Sequence, residues 1–434
     1  MKPRPPAHPR RSQNGLALLA LLAVIGAIGL FFFVNGLSAN QLRAGRDSVD
    51  LAALGQAKSA LIAYATSVAL TPTGARRPGD LPCPDTNNDG DKELSCGNAA
   101  GTTGQALRLG RLPWRSLGLP DLRDSAGERL WYAVSNSFKE NTRRNPLNSD
   151  TTGTITVRDA SGNVVFDGSL TTGVVAVIVA PGMPLAGQDR SVAGVNNASN
   201  YLEAAAGENN ATFVDSGSDG FVMGPVRDAG QNIILNDRIV VITRDEIMAA
   251  IERRVAAEAL NCLSEYAAAN QGRYPWAAAL NIAAPPDYLD TDGARFGRIP
   301  DTPFTRTVAT SAAMTDDWTG TCSIASISGW WLNNNWKEMV FVAIADTSKP
   351  VGPLVPAPAC SPATCLTVNP PSAAASVRVA VLVAGSQLGA QLRATNAQKG
   401  SVSNYLDQIE NTNGDDVFSV LMRSATFNDS LAYR

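Results

Sequence analysis

The sequence predicts an α+β fold, and three observations lead to this class. An apolar and then amphipathic helix opens the chain, a second amphipathic helix begins near residue 243, and short β-branched runs follow each helix. Helical periodicity followed by clusters of strands is typical of helices packed on antiparallel sheets. The 434 residues are 44% apolar and 17% charged, so the chain has the length of two or three domains and the apolar content for a buried core.

Charge and histidine content exclude several classes of function. The formal net charge is −3 and the pI is near 5.4, which argues against nucleic acid held by bulk electrostatics. The single histidine, His8, lies in a tail rich in proline and arginine, so catalytic triads, Cys-His dyads and histidine zinc sites lack a candidate. We therefore expect a protein that is not an enzyme and has no nucleic-acid partner.

The first 36 residues have the pattern of a membrane anchor. Residues 1–15 carry basic but no acidic side chains, and residues 16–34 contain no polar residue. A helix of this length spans about 28 Å, close to the thickness of a bilayer core. The basic flank predicts a cytoplasmic N-terminus, a single transmembrane helix over 16–36 and an exported body. A cleaved signal peptide is the alternative, although the apolar run is longer than a usual h-region.

The helix is predicted to continue beyond the membrane segment. Leu51, Leu54, Ala57, Leu61 and Val68 follow one another at spacings that place them on one helical face. This face is apolar, whereas the positions between these residues include charged and polar side chains. The pattern predicts a helix that is half membrane-spanning and half amphipathic.

This N-terminus resembles that of type IV pilins and type II secretion pseudopilins. The basic leader ends at Gly15, and the apolar run starts at Leu16. In that family a dedicated peptidase cuts after the glycine, so the resemblance implies processing between Gly15 and Leu16. It covers roughly the first 70 residues and implies a single-pass protein of the bacterial inner membrane with a periplasmic body.

One position departs from the pattern of the major pilins. Their glutamate at the fifth mature position is replaced here by Ala20. This resembles the large minor subunits that lack the glutamate, the K-type pseudopilin and its pilus counterparts, which are placed at or near the filament tip. The resemblance implies a non-enzymatic subunit that initiates or caps a type IV pilus or a type II secretion pseudopilus. Its partners would be other minor subunits, contacted through the N-terminal helix.

The body of the chain contains an internal repeat. One short match could be chance, but five matches in the same order indicate duplication. After the leader (1–15) and the membrane helix (16–36), we therefore predict a first domain over 37–242 and a second, duplicated domain over 243–434. The matched segments are 110–113 with 297–300, 130–134 with 339–343, 174–182 with 377–385, 199–203 with 403–407, and 236–237 with 428–429.

The second repeat is predicted to open with its own helix. Thr243 and Glu246 form a capping box, and the segment from Asn270 to Gly272 ends the helix. Charged residues such as Glu252 exclude a second membrane span. Strands are predicted from β-branched runs at 154–158 and 163–166, which read as a hairpin, and at 174–179, 233–235, 238–242 and 377–383.

Six cysteines in an exported chain indicate disulfide bonds. Short loops favour two of the pairs and leave the third to connect the second helix with its sheet, although six cysteines allow 15 pairings. A zinc site is less favoured, because the sequence lacks suitable histidines and CxxC spacings. The predicted pairs are Cys83 with Cys96, Cys262 with Cys322, and Cys360 with Cys365.

An acidic loop inside the first predicted disulfide resembles an EF-hand calcium loop. Asp85, Asn87, Asp89 and Asp91 occupy positions one, three, five and seven, and Gly90 occupies position six. The twelfth position is a cysteine instead of the bidentate glutamate, so the motif is incomplete. The resemblance to K-type pseudopilins also implies calcium. The alternative is a turn rich in Asx residues that needs no ion.

Most tryptophans of the chain lie in the second repeat. Packing in the core is one interpretation. The other is an exposed patch that recognises a surface or a secreted substrate. The five residues are Trp276, Trp318, Trp330, Trp331 and Trp336.

Three functional hypotheses follow from these patterns. The first is the minor pilin-like subunit, and cleavage after Gly15 separates it from the other two. The second is a membrane-anchored periplasmic module for calcium-dependent binding or adhesion that does not enter a filament. The third is a tethered enzyme with paired carboxylates, such as a glycosidase, but most acidic residues stand in glycine-rich turns and no nucleophile-and-base motif is present.

Overall fold

The chain has an α+β fold with helices and several small antiparallel sheets. The predicted leader up to residue 13, and most side chains of the predicted membrane segment, lie outside the described residues. The computed structural model describes residues 14–68, 76–96, 106–141, 146–212, 220–280, 288–303, 314, 318, 322, 324, 329–369 and 374–434.

A single long helix, α1 (Asn14–Ser67), opens the fold. Leu54, Ala57 and Leu61 are at most 1% exposed, so the predicted amphipathic face is buried. Leu51 is an exception at 60% exposure, because Asp50 takes the buried position there. Among the residues whose side chains are described, no helix combines the length and the apolar character that crossing a bilayer requires.

The first repeat is built around a four-stranded antiparallel sheet. In its described residues this sheet has the order β1-β2-β5-β11, and β3 pairs antiparallel with β4 and parallel with β8. Two small two-stranded sheets, β6 with β7 and β9 with β10, complete it. The strands are β1 (Leu109–Arg111), β2 (Trp131–Val134), β3 (Val157–Arg158), β4 (Val164–Phe166), β5 (Ala176–Ala180), β6 (Ala204–Ala205), β7 (Glu208–Asn209), β8 (Phe221–Val222), β9 (Val226–Arg227), β10 (Ile233–Leu235) and β11 (Arg238–Ile242).

The second repeat starts with α2 and has a sheet of the order β12-β13-β16-β18, also antiparallel. The predicted capping box is present, because Thr243 donates its backbone N–H to the Glu246 carboxylate at 2.9 Å. The elements are α2 (Arg244–Ala269), β12 (Phe296–Arg298), α3 (Gly329–Leu332), α4 (Trp336–Met339), β13 (Val340–Ile344), β14 (Leu366–Asn369), β15 (Ala375–Val377), β16 (Val379–Val383), α5 (Asn396–Lys399), β17 (Val417–Ser419) and β18 (Ser430–Tyr433).

The two central sheets have the same topology, and four of the five segments matched in sequence correspond in the structure. The match of 130–134 with 339–343 is wrong by one residue, because Trp131 pairs with Val179 whereas Phe341 pairs with Leu382, the counterpart of Val179. Residues 130–134 therefore correspond to 340–344. The segments 110–113 and 297–300 begin inside the edge strands β1 and β12, and the dipeptides 236–237 and 428–429 directly precede β11 and β18. The three-stranded sheets, β4-β3-β8 and β15-β14-β17, correspond as well. In each repeat one strand, β3 or β14, has an antiparallel neighbour on one side and a parallel neighbour on the other.

The two repeats share one hydrophobic core. Leu61 of α1, Ile178 of β5, Val255 of α2 and Val381 of β16 all belong to the same cluster of buried side chains. A smaller cluster, which includes Trp131, covers the other face of the first sheet. The repeats are therefore packed against each other, and the domain boundaries predicted from the sequence fall within one continuous body.

Buried polar contacts also join the repeats. Asn334 of the second repeat accepts hydrogen bonds on Oδ1 from Arg77 Nη1 and from the Leu147 amide, both at 2.9 Å. Arg393 Nη1 lies 2.9 Å from Asp150 Oδ1 of the first repeat. These side chains are almost fully buried, apart from Asp150, so the contacts fix how the two repeats sit on each other.

Candidate functional site

The acidic loop is organised around the buried carboxylate of Asp85. Oδ1 of Asp85 accepts hydrogen bonds from the amides of Asn87 and Asn88 at 3.1 and 2.6 Å, and Oδ2 accepts one from the Gly90 amide at 2.7 Å. Asn88 and Gly90 adopt positive φ angles of 67° and 92°. A glycine is required at position 90, because a Cβ there would lie 2.6 Å from Trp114 Nε1.

The other three predicted calcium ligands continue this turn. Asn87 Oδ1 accepts from the Asp89 amide at 3.0 Å, and Asp89 Oδ1 accepts from the Asp91 amide at 2.8 Å. Burial raises the pKa of Asp85, and its hydrogen bonds with backbone amides oppose this shift. Among the described residues, no three His, Cys, Asp or Glu side chains converge as metal ligands. The geometry matches the Asx-rich turn, and the calcium site stays a prediction.

Glu140 connects the acidic loop to α1. Its carboxylate accepts a hydrogen bond from Tyr64 Oη of α1 at 2.8 Å and from the Cys83 amide at 3.3 Å, and it pairs with Lys92. Burial, followed by the nearby Glu140 carboxylate, raises the pKa of Tyr64 well above its usual value. The loop and the helix are therefore linked through the Glu140 carboxylate, which contacts Lys92 on one side and Tyr64 on the other.

All three predicted disulfide bonds are present. Their Cα–Cα distances are 5.3, 4.7 and 5.6 Å, within the usual range for disulfides. The first closes the acidic loop, and the second starts from α2, as the sequence predicted. The pairs are Cys83–Cys96, Cys262–Cys322 and Cys360–Cys365.

The hypothesis of an exposed tryptophan patch is wrong. All five tryptophans of the second repeat are at most 8% exposed, and Trp330 and Trp336 are fully buried. Four of them belong to the shared core. Large aromatic rings are the side chains that bury the most apolar area per residue, and here they fill the space beside the second sheet.

No family model, curated protein or solved structure matches this chain significantly. The candidate sites therefore rest on the geometry of the chain itself.

The matched segments of the two repeats contain a pair of acidic residues that recurs in both, although the sequence indicated no role for it. In the first repeat, Asp237 Oδ2 accepts from the Glu203 amide at 3.1 Å, and Glu203 Oε2 accepts from the amide beside Asp237 at 3.0 Å. In the second, Asp429 Oδ2 accepts from the Asp407 amide at 2.8 Å, and Asp407 Oδ2 accepts from the amide beside Asp429 at 2.7 Å. Each pair ties the start of the last strand to the preceding loop.

A glutamine and an arginine complete this network in each repeat. Gln188 Nε2 donates to Glu203 at 2.6 Å, and Gln391 Nε2 donates to Asp407 at 3.0 Å. Two residues later, Arg190 and Arg393 donate to backbone carbonyls at the same end of the sheet. This Gln-x-Arg spacing stands at matched places in the two repeats, at 188–190 and 391–393, so a longer alignment of the repeats would have found it.

Burial makes these carboxyl groups hard to ionise. It raises the pKa of Asp429 to about 7, with a further contribution from the nearby Asp407. Burial likewise raises the pKa of Asp237 well above its usual value, and the Glu203 carboxylate adds to this shift. Two neighbouring carboxylates resist ionising together, because their negative charges repel each other. Hydrogen bonds within the described residues occupy the oxygens of these groups, except for the buried Asp237 Oδ1, which indicates a role in the fold.

The repeated Gly-Arg-Leu/Ile-Pro motif has a structural explanation. Arg111 lies over the rings of Trp131 and Tyr201, with its guanidinium carbon 4.2 and 3.9 Å from the two ring centres. Its counterpart, Arg298, lies over two aromatic rings at 4.3 Å. A buried guanidinium between aromatic faces gains from cation–π attraction. The glycine before it lets a neighbouring backbone approach, because a Cβ on Gly110 would lie 2.5 Å from a carbonyl oxygen.

The predicted processing site, Gly15 and Leu16, falls where α1 begins. The side chains at these positions lie outside the described part of the chain, so cleavage stays a prediction.

Proposed function

We propose that the chain is a minor subunit of a pilin-like or pseudopilin-like filament, anchored in the inner membrane by residues 16–36, and that it initiates or caps the filament without catalysis. One observation carries the proposal. The continuous helix α1 buries its C-terminal half against an antiparallel sheet, whereas the described apolar side chains of its N-terminal half are exposed. Leu22, Val24, Ile25, Ile28, Leu30 and Phe31 are 51–65% exposed.

An exposed apolar helix requires another apolar environment. Contiguous apolar surface of this kind is typical of membrane or protein contacts. A bilayer, and the helices of neighbouring subunits within it, would supply that environment. The duplicated body supports placement at a filament end, because two packed repeats on one helix are harder to fit between neighbours along a shaft. Ala20, in the place of the glutamate of major pilins, supports the same placement.

N-terminal sequencing of the protein extracted from membranes tests the anchor and its processing. We expect the mature chain to begin at Leu16. An intact Met1, or a cut beyond Val34, would contradict the prepilin-type leader.

Immunogold labelling of sheared filaments tests the position in the filament. We expect label at filament ends, next to other minor subunits. Regular label along the shaft would rule out the end position.

The second candidate is a membrane-anchored periplasmic module that binds its ligand with calcium. The acidic loop favours it, because Asp85, Asn87, Asp89 and Asp91 lie in one loop that a disulfide closes and Glu140 connects to α1. Absence of the protein from every filament, together with retention in the membrane, would favour this module over the filament subunit.

A further inference from the structure

A groove lies between α1 and one end of the first central sheet. It has a volume of about 360 Å³. Arg43 and Arg46 of α1 and Arg227 of β9 line it on the polar side, and Met183 and Ile233 contribute apolar surface. All five side chains are exposed. The groove therefore offers cationic and apolar groups to the same ligand.

The direction of β11 shows at which end of the first central sheet the groove lies. Arg238, the first residue of β11, pairs with Asp47 of α1 and places Nε 3.3 Å from Asp50 Oδ2. Glu246, just after β11, pairs with Lys58 further along α1 at 2.6 Å. β11 therefore runs alongside α1 in the same direction. The groove lies at the end of the sheet nearest the apolar beginning of the helix.

The distance from the apolar run is short. Arg43 follows Val34 by nine residues of one continuous helix, which corresponds to about 14 Å. Arginine side chains extend several ångströms further and orient their charge toward a polar boundary. With residues 16–36 in the bilayer, the groove faces the layer of lipid headgroups.

The described lining of the groove carries more positive than negative charge, since its four arginines outnumber its two carboxylates. Both carboxylates, Asp47 and Asp50, pair with Arg238. In the part of the chain that the structure describes, Arg43, Arg46 and Arg227 have no carboxylate within 4 Å. The chain as a whole carries a net charge of −3, so this positive charge is local and does not reflect a generally basic surface.

We propose that this groove binds the headgroup of an anionic phospholipid, so that the periplasmic body rests on the membrane that anchors it. The proposal rests on the membrane anchor of the proposed function. Guanidinium groups bind phosphate through paired N–H donors. The exposed Met183 and Ile233, at 56% and 40%, would contact the glycerol and upper acyl carbons. Basic residues beside a membrane helix are attracted to anionic lipid over a short range.

Native mass spectrometry of the full chain in mild detergent tests this proposal. The chain is mixed with equal amounts of phosphatidylglycerol and phosphatidylcholine that have the same acyl chains. We expect about a tenfold preference for phosphatidylglycerol. The triple variant Arg43→Gln, Arg46→Gln and Arg227→Gln should lose this preference.

The matched control replaces three exposed arginines away from the groove. Arg76→Gln, Arg115→Gln and Arg253→Gln cause the same change in net charge and should keep the preference. An equal loss in both triple variants, or equal retention of the two lipids by the unmodified chain, would overturn the proposal. The single variant Arg43→Gln, at an exposed helical position, serves if the triple variant fails to fold; an unchanged preference in it would count against the site.

Two further arms separate the alternatives. Excess inorganic phosphate should leave the lipid bound, and displacement by phosphate would indicate a site for free anions instead. Extraction of membranes with alkaline carbonate tests the anchor independently. A chain that resists extraction but shows no lipid preference would refute only the groove, whereas a chain that is released would refute the anchor.

Discussion

Asp429 holds its proton to a higher pH than an exposed aspartate, because it is buried beside Asp407. Its pKa is raised to about 7 in the folded chain and returns toward 3.8 on unfolding. Between about pH 4 and pH 7 the folded chain therefore binds more protons than the unfolded chain. The contribution of Asp429 to the free energy of unfolding is fully present below this window and decreases as the pH rises through it.

We expect the urea concentration at the unfolding midpoint of the unmodified chain to decrease as the pH rises from about 4 to about 7. Asp429→Asn, which cannot ionise, should show a smaller decrease over the same range. Glu410→Gln, at a partly exposed position in the same repeat, serves as the control and should follow the unmodified chain. Identical pH dependence of Asp429→Asn and the unmodified chain would show that Asp429 titrates normally.

Gly297 tests the explanation of the Gly-Arg motif. A Cβ at this position would lie 2.1 Å from the carbonyl oxygen of Ala278, so the backbone must move. We expect Gly297→Ala to lower the free energy of unfolding by about 1–3 kcal/mol. Gly55→Ala is the matched control, because nothing lies within 4 Å of its Cβ and alanine favours a helix. Chemical denaturation of both variants would measure the difference, and equal stability would refute the close approach.

At the scale of elements, the acidic loop allows a direct test for calcium. Calcium that binds only the folded chain at a hundred times its dissociation constant adds about 2.7 kcal/mol to the free energy of unfolding. We expect a higher thermal midpoint with calcium than with chelator, and no such difference for Asp89→Ala. An equal midpoint in calcium and chelator for the unmodified chain would leave the loop as a turn that binds no ion.

Local signals in the sequence were sufficient for several elements and for the disulfides. Residues 233–235 and 238–242 form strands at the predicted bounds, because β-branched runs favour strands and the turn residues between them mark where each strand ends. The capping box marked the start of α2, and short loops indicated two of the three cysteine pairs. The repeated segments indicated which strands of the two repeats are equivalent, because each matched pair of segments lies in or beside equivalent elements. They did not fix every residue, since the match of 130–134 is one residue out of register.

The remaining features depend on residues that are far apart in the chain. Hydrophobic periodicity does not distinguish a tryptophan in the core from one on the surface, so the predicted patch was wrong. Arg111 lies over Tyr201, ninety residues later, and only the fold brings them together. Asp50 is buried on the helical face where Leu51 was predicted, because its carboxylate pairs with Arg238 of β11.

At the scale of the whole molecule, the shared core predicts a single unfolding transition. Packing of α1 and α2 into one cluster with both sheets makes the folding of each repeat depend on the other. We expect thermal unfolding of the full chain to be one cooperative step. Two resolved transitions would indicate repeats that fold independently.

Asn334 is the residue with which to test this dependence. Replacement by alanine leaves the buried Arg77 guanidinium and the Leu147 amide without this acceptor, at a cost of about 2–4 kcal/mol. The exposed Asn333→Ala is the neighbouring control. We expect Asn334→Ala to lower the midpoint of the single transition. A midpoint equal to that of Asn333→Ala would show that the contact does not couple the repeats.

The packing of α2 beside α1 has a mechanical consequence. A pulling force applied to α1 reaches the second repeat by two routes. One is the backbone at Thr243, and the other is the packed side chains of the shared core, which are loaded in shear. Contacts loaded in parallel share the force, whereas a single covalent link in an extended linker would first straighten under it. A ligand bound to the second repeat would therefore move together with α1, because the two repeats respond to force as one stiff unit.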